Sequence, residues 1–148
     1  MSNDIEIPIE TTHHVRDTCL CLHVRRAARA VARRFDDALR PLDLTNGQFS
    51  LMMSLNRPKA PKIGEVSELL AMDRTTLTAN LKPLERRGLV AVTADAGDKR
   101  SRRMTLTPAG RSLLAKAVPI WVRTEAETEA LLGRSSADRL RADLRALS

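Results

Sequence analysis

Aromatic side chains are nearly missing from this 148-residue chain, which has one Trp, two Phe and no Tyr, 2% in all. Proteins that grip single-stranded nucleic acid stack its bases on aromatic rings, so that mode of binding has little raw material here. Any nucleic-acid partner is therefore expected to be a duplex. Cysteine is almost as scarce. Cys19 and Cys21, spaced C-x-C, are too few and too close for a secreted disulfide framework or a four-ligand zinc site. No apolar run approaches the roughly 20 residues needed to span a bilayer. The opening Met1-Ser2-Asn3-Asp4-Ile5-Glu6 lacks the basic-then-apolar order of a secretory signal. These absences predict a cytoplasmic protein with no membrane partner. No catalytic triad order, Gly-rich phosphate loop or acidic metal cluster is present either, so neither enzymatic activity, a cofactor nor a metal is expected.

Positive charge is abundant, with 25 Lys/Arg against 18 Asp/Glu, giving +7 and a pI near 10.4. That balance suits a polyanionic partner. It is also concentrated. Residues 47–110 hold 11 Lys/Arg against 6 Asp/Glu, a net of +5, and the remaining 84 residues carry only +2.

The length fits one domain over residues 1–148. Residues 1 to about 11 alternate acid and Ile around Pro8 and are expected to form a loose tail, ordered if at all on a partner. From Thr12 to Arg40, Leu20, Val24, Ala27, Ala28, Val31, Phe35 and Leu39 recur at three-and-four spacing, which predicts one long amphipathic helix. Such a helix exceeds the needs of one small domain, and pairing with a second copy accounts for it economically. Thr45-Asn46-Gly47-Gln48 reads as a capping box opening a second helix. After the Pro-rich loop 57–62, Ile63–Leu70 is a short third helix, and Ala71 and Met72 bridge it to Asp73, the N-cap of a fourth. Gly88 ends that helix. Thr107-Pro108 opens a fifth helix running to about Leu132, with Pro119 as a kink, and Ser135 caps a last one carrying Leu140, Leu144 and Leu147.

The bridge between the third and fourth helices has helix-turn-helix spacing, in which the second helix enters the major groove. Arg74, Thr75, Thr76, Thr78, Ala79 and Lys82 fall wholly or partly off the inner face formed by Leu77, Leu81 and Leu84. Arg takes guanine bidentately, and Thr hydroxyls and methyls suit varied base edges. An exposed helix that is merely polar would look the same. Two short apolar runs, Leu89–Val92 and Met104–Thr107, flank a basic tip of Asp98, Lys99, Arg100, Arg102 and Arg103. A lone charge run is usually a solvated loop, but one lying just beyond a helix-turn-helix is placed for Arg100 to enter a minor groove with Asp98 bracing its guanidinium. Pro83, inside the fourth helix, predicts a bend or a compensating contact.

Leu84-Glu85-x-x-Gly88-Leu89-Val90, then Asp98-x-Arg100 and Leu106-Thr107-x-x-Gly110, resemble the signature of MarR-type winged-helix transcriptional regulators. The resemblance covers nearly the whole chain. It implies a mainly α fold with a small β-hairpin wing: a winged helix-turn-helix at 45–110 flanked by N- and C-terminal dimerisation helices at 12–44 and 111–148. It further implies a homodimer that reads a pseudo-palindromic double-stranded operator, most often as a repressor, and releases it when a small ligand binds. In the family such ligands are often phenolic or aromatic acids held beside the first, second and fifth helices, which makes Arg25, Arg29 and Met52 candidate contacts.

Leu20-Cys21-Leu22 also resembles the sensor-cysteine segment of the hydroperoxide-sensing branch, although this chain lacks the tyrosines that hold the thiolate there. Cys21 and, beside it, Cys19 are thus redox candidates. Against this, Cys21 on the apolar stripe reads simply as a small buried hydrophobe. Cys19 and His23, four residues apart, share a helix face and make a weaker metal or activated-thiol pair. A second function class fits the composition as well, a non-DNA helical dimer whose basic face binds an acidic protein.

Overall fold

Leu77, Leu81 and Leu84 are spaced to fall on one side of a helix, and that side is buried at 0 to 6% exposure against Leu39, Leu51, Met52, Val66 and Met104. The computed structural model describes residues 5–148. Its elements are α1 (Ile9–Thr18), α2 (Leu20–Leu39), a 3-10 turn (Arg40–Leu42), α3 (Asn46–Ser54), α4 (Ile63–Leu69), α5 (Arg74–Arg86), β1 (Val90–Ala94), β2 (Arg102–Leu106), α6 (Pro108–Ala130) and α7 (Ala137–Leu147). By contacts the chain divides into two units, residues 1–34 and 35–148. The fold is the mainly helical winged helix-turn-helix expected.

In the first unit the single long helix does not form. Helix starts at Ile9, inside the segment expected to be a loose tail; Met1–Asp4 of that segment lie outside the described residues. It is then interrupted at Cys19, whose backbone is extended (φ −67°, ψ 110°). The Thr18 hydroxyl donates to the His14 carbonyl at 2.7 Å, the back-bonding that weakens a helix locally. Cys19 closes one helix and opens the next. Its N–H donates to Val15 O at 2.9 Å, its carbonyl accepts from His23 N at 3.1 Å, and its Sγ accepts from Leu22 N at 3.5 Å, as an N-cap side chain would. The apolar spacing runs through this break, so periodicity alone could not reveal it. Along α2 the stripe stays largely exposed, with Leu20 at 67% and Val24 and Val31 near 38%.

In the second unit the sequence reading holds closely. The capping box at Thr45 is complete: Gln48 N donates to Thr45 Oγ1 at 3.2 Å and Thr45 N to Gln48 Oε1 at 3.1 Å. Between α4 and α5 the chain turns through Ala71 in the left-handed region (φ 51°), and the Ser67 hydroxyl fastens the turn to Met72 O at 2.5 Å. Pro83 is accommodated within α5. It lies close to the helix's C-terminal end, and its ring walls a cleft shared with Asp36, Asp43 and Arg87. The last helix is capped by Ser136, one residue later than expected, through Arg139 N at 3.2 Å. It is tied to α6 by Arg141, which bonds Glu125 at 2.8 Å and also Glu129.

β1 and β2 pair antiparallel with Val90 opposite Leu106 and Val92 opposite Met104. Their inner residues join the core. The root of this hairpin explains why the signature needs Thr107 and Gly110. The Thr107 hydroxyl donates to Gly88 O at 2.6 Å and accepts from Gly110 N at 3.0 Å, while Thr107 N donates to Leu89 O at 3.1 Å. A Cβ on Gly110 would lie 2.0 Å from the Leu89 carbonyl oxygen. That neighbour is backbone and cannot swing aside. Gly110→Ala is therefore expected to destabilise the fold by about 3 kcal/mol or more, read as a lowered denaturant midpoint; an unchanged midpoint would show that the joint can open without loss.

Candidate nucleic-acid interface

α5 begins where Asp73, extended at φ −69° and ψ 162°, accepts the Thr76 N–H at 2.7 Å. That bond holds the Asp73 carboxyl below its ordinary pKa. Burying Leu77, Leu81 and Leu84 fixes the helix's rotation, and Arg74, Thr75, Thr76, Thr78, Ala79 and Lys82 are consequently all exposed. The far end is fastened by Arg87. Its guanidinium donates to Asp43 O at 2.6 Å and Leu42 O at 3.2 Å, so this residue anchors the loop after α2.

The wing supplies the second half. Asp98, Lys99, Arg100 and Arg102 are exposed at or beside its tip. Asp98 does not brace the Arg100 guanidinium. Its Oδ1 accepts the Arg100 backbone N–H and its Oδ2 the Ser101 hydroxyl, both at 3.0 Å, so it shapes the turn while the Arg100 side chain stays exposed. A short acidic side chain two residues before an open amide favours this Asx-type turn over reaching a neighbour's long side chain.

The bracing carboxylate is Asp95, which sequence reasoning missed. Its Oδ1 takes Arg103 Nε at 2.5 Å and its Oδ2 lies 3.9 Å from Lys62 Nζ. Arg103 also donates to Ala60 O at 2.5 Å. The ion pair with Arg103, more than the Coulombic pull of Lys62, holds the Asp95 carboxyl below its usual range. These partners lie 8 and 33 positions from Asp95: the hairpin register brings Arg103 near it, and the isolated bridge of Lys62 to Arg103 brings Lys62.

Between wing and helix-turn-helix lies a groove of about 410 Å³ that brings Arg74, at the start of α5, together with Arg100 and Arg102 of the wing. Glu65 and Glu68 line it too, and Glu65 accepts the Lys62 N–H at 3.1 Å. A polar helix face beside a cationic hairpin forms a surface for a polyanion with grooves.

A family model described as MarR family matches residues 44–101. The transcriptional regulator HosA of Escherichia coli O157:H7 is 36% identical over 97 residues, covering 65% of this chain and 69% of HosA. The chain belongs to the MarR family. Among solved structures, the M. tuberculosis regulator MosR in complex with DNA aligns with a TM-score of 0.79 at 41% identity, covering 88% of this chain and 93% of MosR. The repressor CouR bound to a 23-mer DNA duplex aligns with a TM-score of 0.79 at 30% identity, covering 97% and 99%. This MarR-family chain is a DNA-binding transcriptional regulator, and its relatives are regulators rather than enzymes.

The other candidates fall elsewhere. Met52 is fully buried in the core, and its neighbour Met53 is the methionine that lines a surface cleft. That cleft, about 520 Å³ and mainly apolar, is formed by Phe49, Met53, Leu69, Leu70 and Trp121 with Ser50 and Ser54. The Phe49 and Trp121 rings stack at 6.5 Å and 14°. Arg25 and Arg29 are exposed residues of the first unit. Cys21 is exposed rather than buried, and Cys19 is half-buried. His23 Nδ1 bonds the Cys19 carbonyl at 2.7 Å, which turns the ring to the backbone rather than to the thiol. Among the described residues no helix is long and apolar enough to cross a membrane.

Because the Asp73 pKa is depressed in the folded chain, its capping contribution is complete above the ordinary value of about 3.9 and is lost as pH falls through the lower folded value. Asp73→Asn keeps a capping oxygen that does not titrate. The parent's stability advantage over the variant should therefore shrink as the solution is acidified towards pH 3. A difference that stays constant with pH would remove Asp73 as a titrating cap.

Proposed function

We propose that this regulator acts as a homodimeric repressor on a pseudo-palindromic duplex site, with α5 in the major groove and the wing tip against the minor groove. The observation that carries the reading is the groove that joins Arg74 of α5 to Arg100 and Arg102 of the wing. The exposed Arg74, Thr75, Thr76, Thr78, Ala79 and Lys82 would read bases or seat on phosphates, and Lys99, Arg100 and Arg102 would track the backbone beside them. Dimerisation is supported by apolar surface left open in each unit: Leu20 in the first, and Val122, Leu131, Leu140, Leu144 and Leu147 in the second, all above 40% exposed. Two-fold symmetry would set the half-sites about one helical turn apart, roughly 10 base pairs. The DNA-bound relatives make an acidic protein the weaker candidate for the basic face.

Release is proposed to follow ligand binding in the cleft beside Phe49 and Trp121. Its apolar lining and stacked rings suit a small planar aromatic or phenolic compound, and CouR is also known bound to p-coumaroyl-CoA. A ligand shifts the dimer only by binding one spacing of the α5 pair better than the other. A second trigger, oxidation of Cys21 next to Cys19, is favoured by the exposure of Cys21 and by the helix interruption at Cys19. A disulfide or sulfenic acid there would alter the first turn of α2.

Duplexes selected by the purified protein from a random-sequence library test the main reading. Arg100→Ala should weaken the selected duplex and lower the slope of log affinity against log salt by about 0.9. Thr76→Ala should leave that slope unchanged and cost about 1 kcal/mol of discrimination at one position of each half-site. Parent protein that bound random and selected duplex alike would sink the proposal. For the switch, aromatic acids and peroxide are added separately to the complex: Trp121→Ala should abolish only the first release and Cys21→Ser only the second, and an unmoved complex in the parent removes the trigger concerned.

A further inference from the structure

The wing carries a carboxylate that a DNA-facing surface would be better without on electrostatic grounds alone. Asp95 sits one residue beyond β1, and its side chain is only 11% exposed. Both of its oxygens face cations, Arg103 at 2.5 Å and Lys62 at 3.9 Å. Arg103 spends its remaining reach on Ala60 O. Around this node the loop before α4 is sewn to β2: Met104 N donates to Pro61 O at 3.1 Å, and Lys62 makes an isolated antiparallel bridge with Arg103. Asp95 N donates to Ser101 O at 3.0 Å, which closes the tip that carries Lys99 and Arg100. The same carboxylate-bearing residue therefore meets the tip of the wing, its return strand and the segment that leads into the helix-turn-helix.

We propose that Asp95 is a positioning residue for DNA binding: with Arg103 and Lys62 it locks the wing to the start of α4, so that the wing arginines and α5 engage one duplex as a single rigid reader. Neither Asp95 nor Arg103 touches the DNA. The inference rests on the reading of the wing as a DNA contact, and it gives Arg103 a role unlike that of Arg100 and Arg102 although all three belong to one basic run.

The sign of one measurement separates this from simple charge effects. Removing an acid from a basic surface should strengthen attraction to any polyanion. If Asp95 positions the wing, Asp95→Ala should instead bind the selected duplex about tenfold more weakly while holding a random duplex as tightly as the parent or more so. Asp95→Asn, which keeps an acceptor for Arg103, should recover part of the loss. Hydroxyl-radical protection of the minor groove should fade in Asp95→Ala while protection of guanine N7 from dimethyl sulfate in the major groove, the mark of α5, persists. Arg103→Met gives an independent reading if Asp95→Ala folds poorly. It should lower affinity with no change in the salt slope, whereas loss of a direct phosphate contact would reduce the slope by about 0.9. Unchanged or tighter binding of the selected duplex by Asp95→Ala, or a reduced slope in Arg103→Met, overturns the proposal. A parent protein with no preference for the selected duplex overturns the DNA reading itself, which is a different result.

Discussion

The reader depends on a close approach that only glycine permits. At the root of the hairpin the Leu89 carbonyl lies where a side chain on residue 110 would be, and the Thr107 hydroxyl uses both its donor and its acceptor capacity, one on Gly88 and one on Gly110. Four elements end or begin within this joint. α5 stops at Gly88, which is left-handed at φ 71°, β1 leaves it and β2 returns to it, and α6 starts from it. Because the hydroxyl is satisfied in both directions, none of these can shift without leaving a backbone group unpaired, and such a group costs about 1 to 3 kcal/mol when it is buried. The attitude of the wing relative to α5 is set here first, and the contacts nearer the tip refine it.

That joint is legible in the amino-acid sequence as the spacing Gly88-Leu89 and Leu106-Thr107-x-x-Gly110, although the reason for the spacing is not. The second unit as a whole reads well because its signals are local and agree with one another. Thr45 and Gln48 cap α3, Asp73 caps α5, Thr107 caps α6, and leucines at helical spacing supply the buried faces. Local propensity and global packing point the same way, which is the condition under which a sequence can be read directly. The first unit resists reading for the opposite reason. Its apolar residues continue at helical spacing across Cys19, while the break is made by a hydroxyl turned back on the helix and a cysteine acting as a cap, neither of which disturbs the pattern.

At the candidate site, exposure of the polar face of α5 follows from where the leucines lie, so its residues can be named from periodicity. The assignment of carboxylates in the wing cannot. Asp98 and Arg100 are neighbours in sequence and invite pairing, yet a carboxylate two residues before a free amide meets the backbone first. Asp95 and Arg103 become neighbours only when β1 and β2 fold onto each other, with Thr93 opposite Arg103. Ion pairs across a hairpin are a consequence of register, and register is not visible in a charge count.

The division of labour among the wing's charges follows from what each can reach. A long arginine in solution loses rotamer freedom when it settles on a phosphate or in a groove, and a mobile platform beneath it would add the entropy of ordering the platform to that loss. Asp98 removes part of that disorder by fixing the turn, and Asp95 removes more by fastening the hairpin to the segment before α4. Each carboxylate weakens the local positive field, but each is turned towards the protein's own donors rather than outward. The same device recurs away from the wing, where Glu125 and Glu129 of α6 hold Arg141 of α7 and raise its pKa above the ordinary arginine value. In both places an arginine is held so that a surface keeps its shape, and at the wing this leaves Arg100 and Arg102, rather than Arg103, available to a partner.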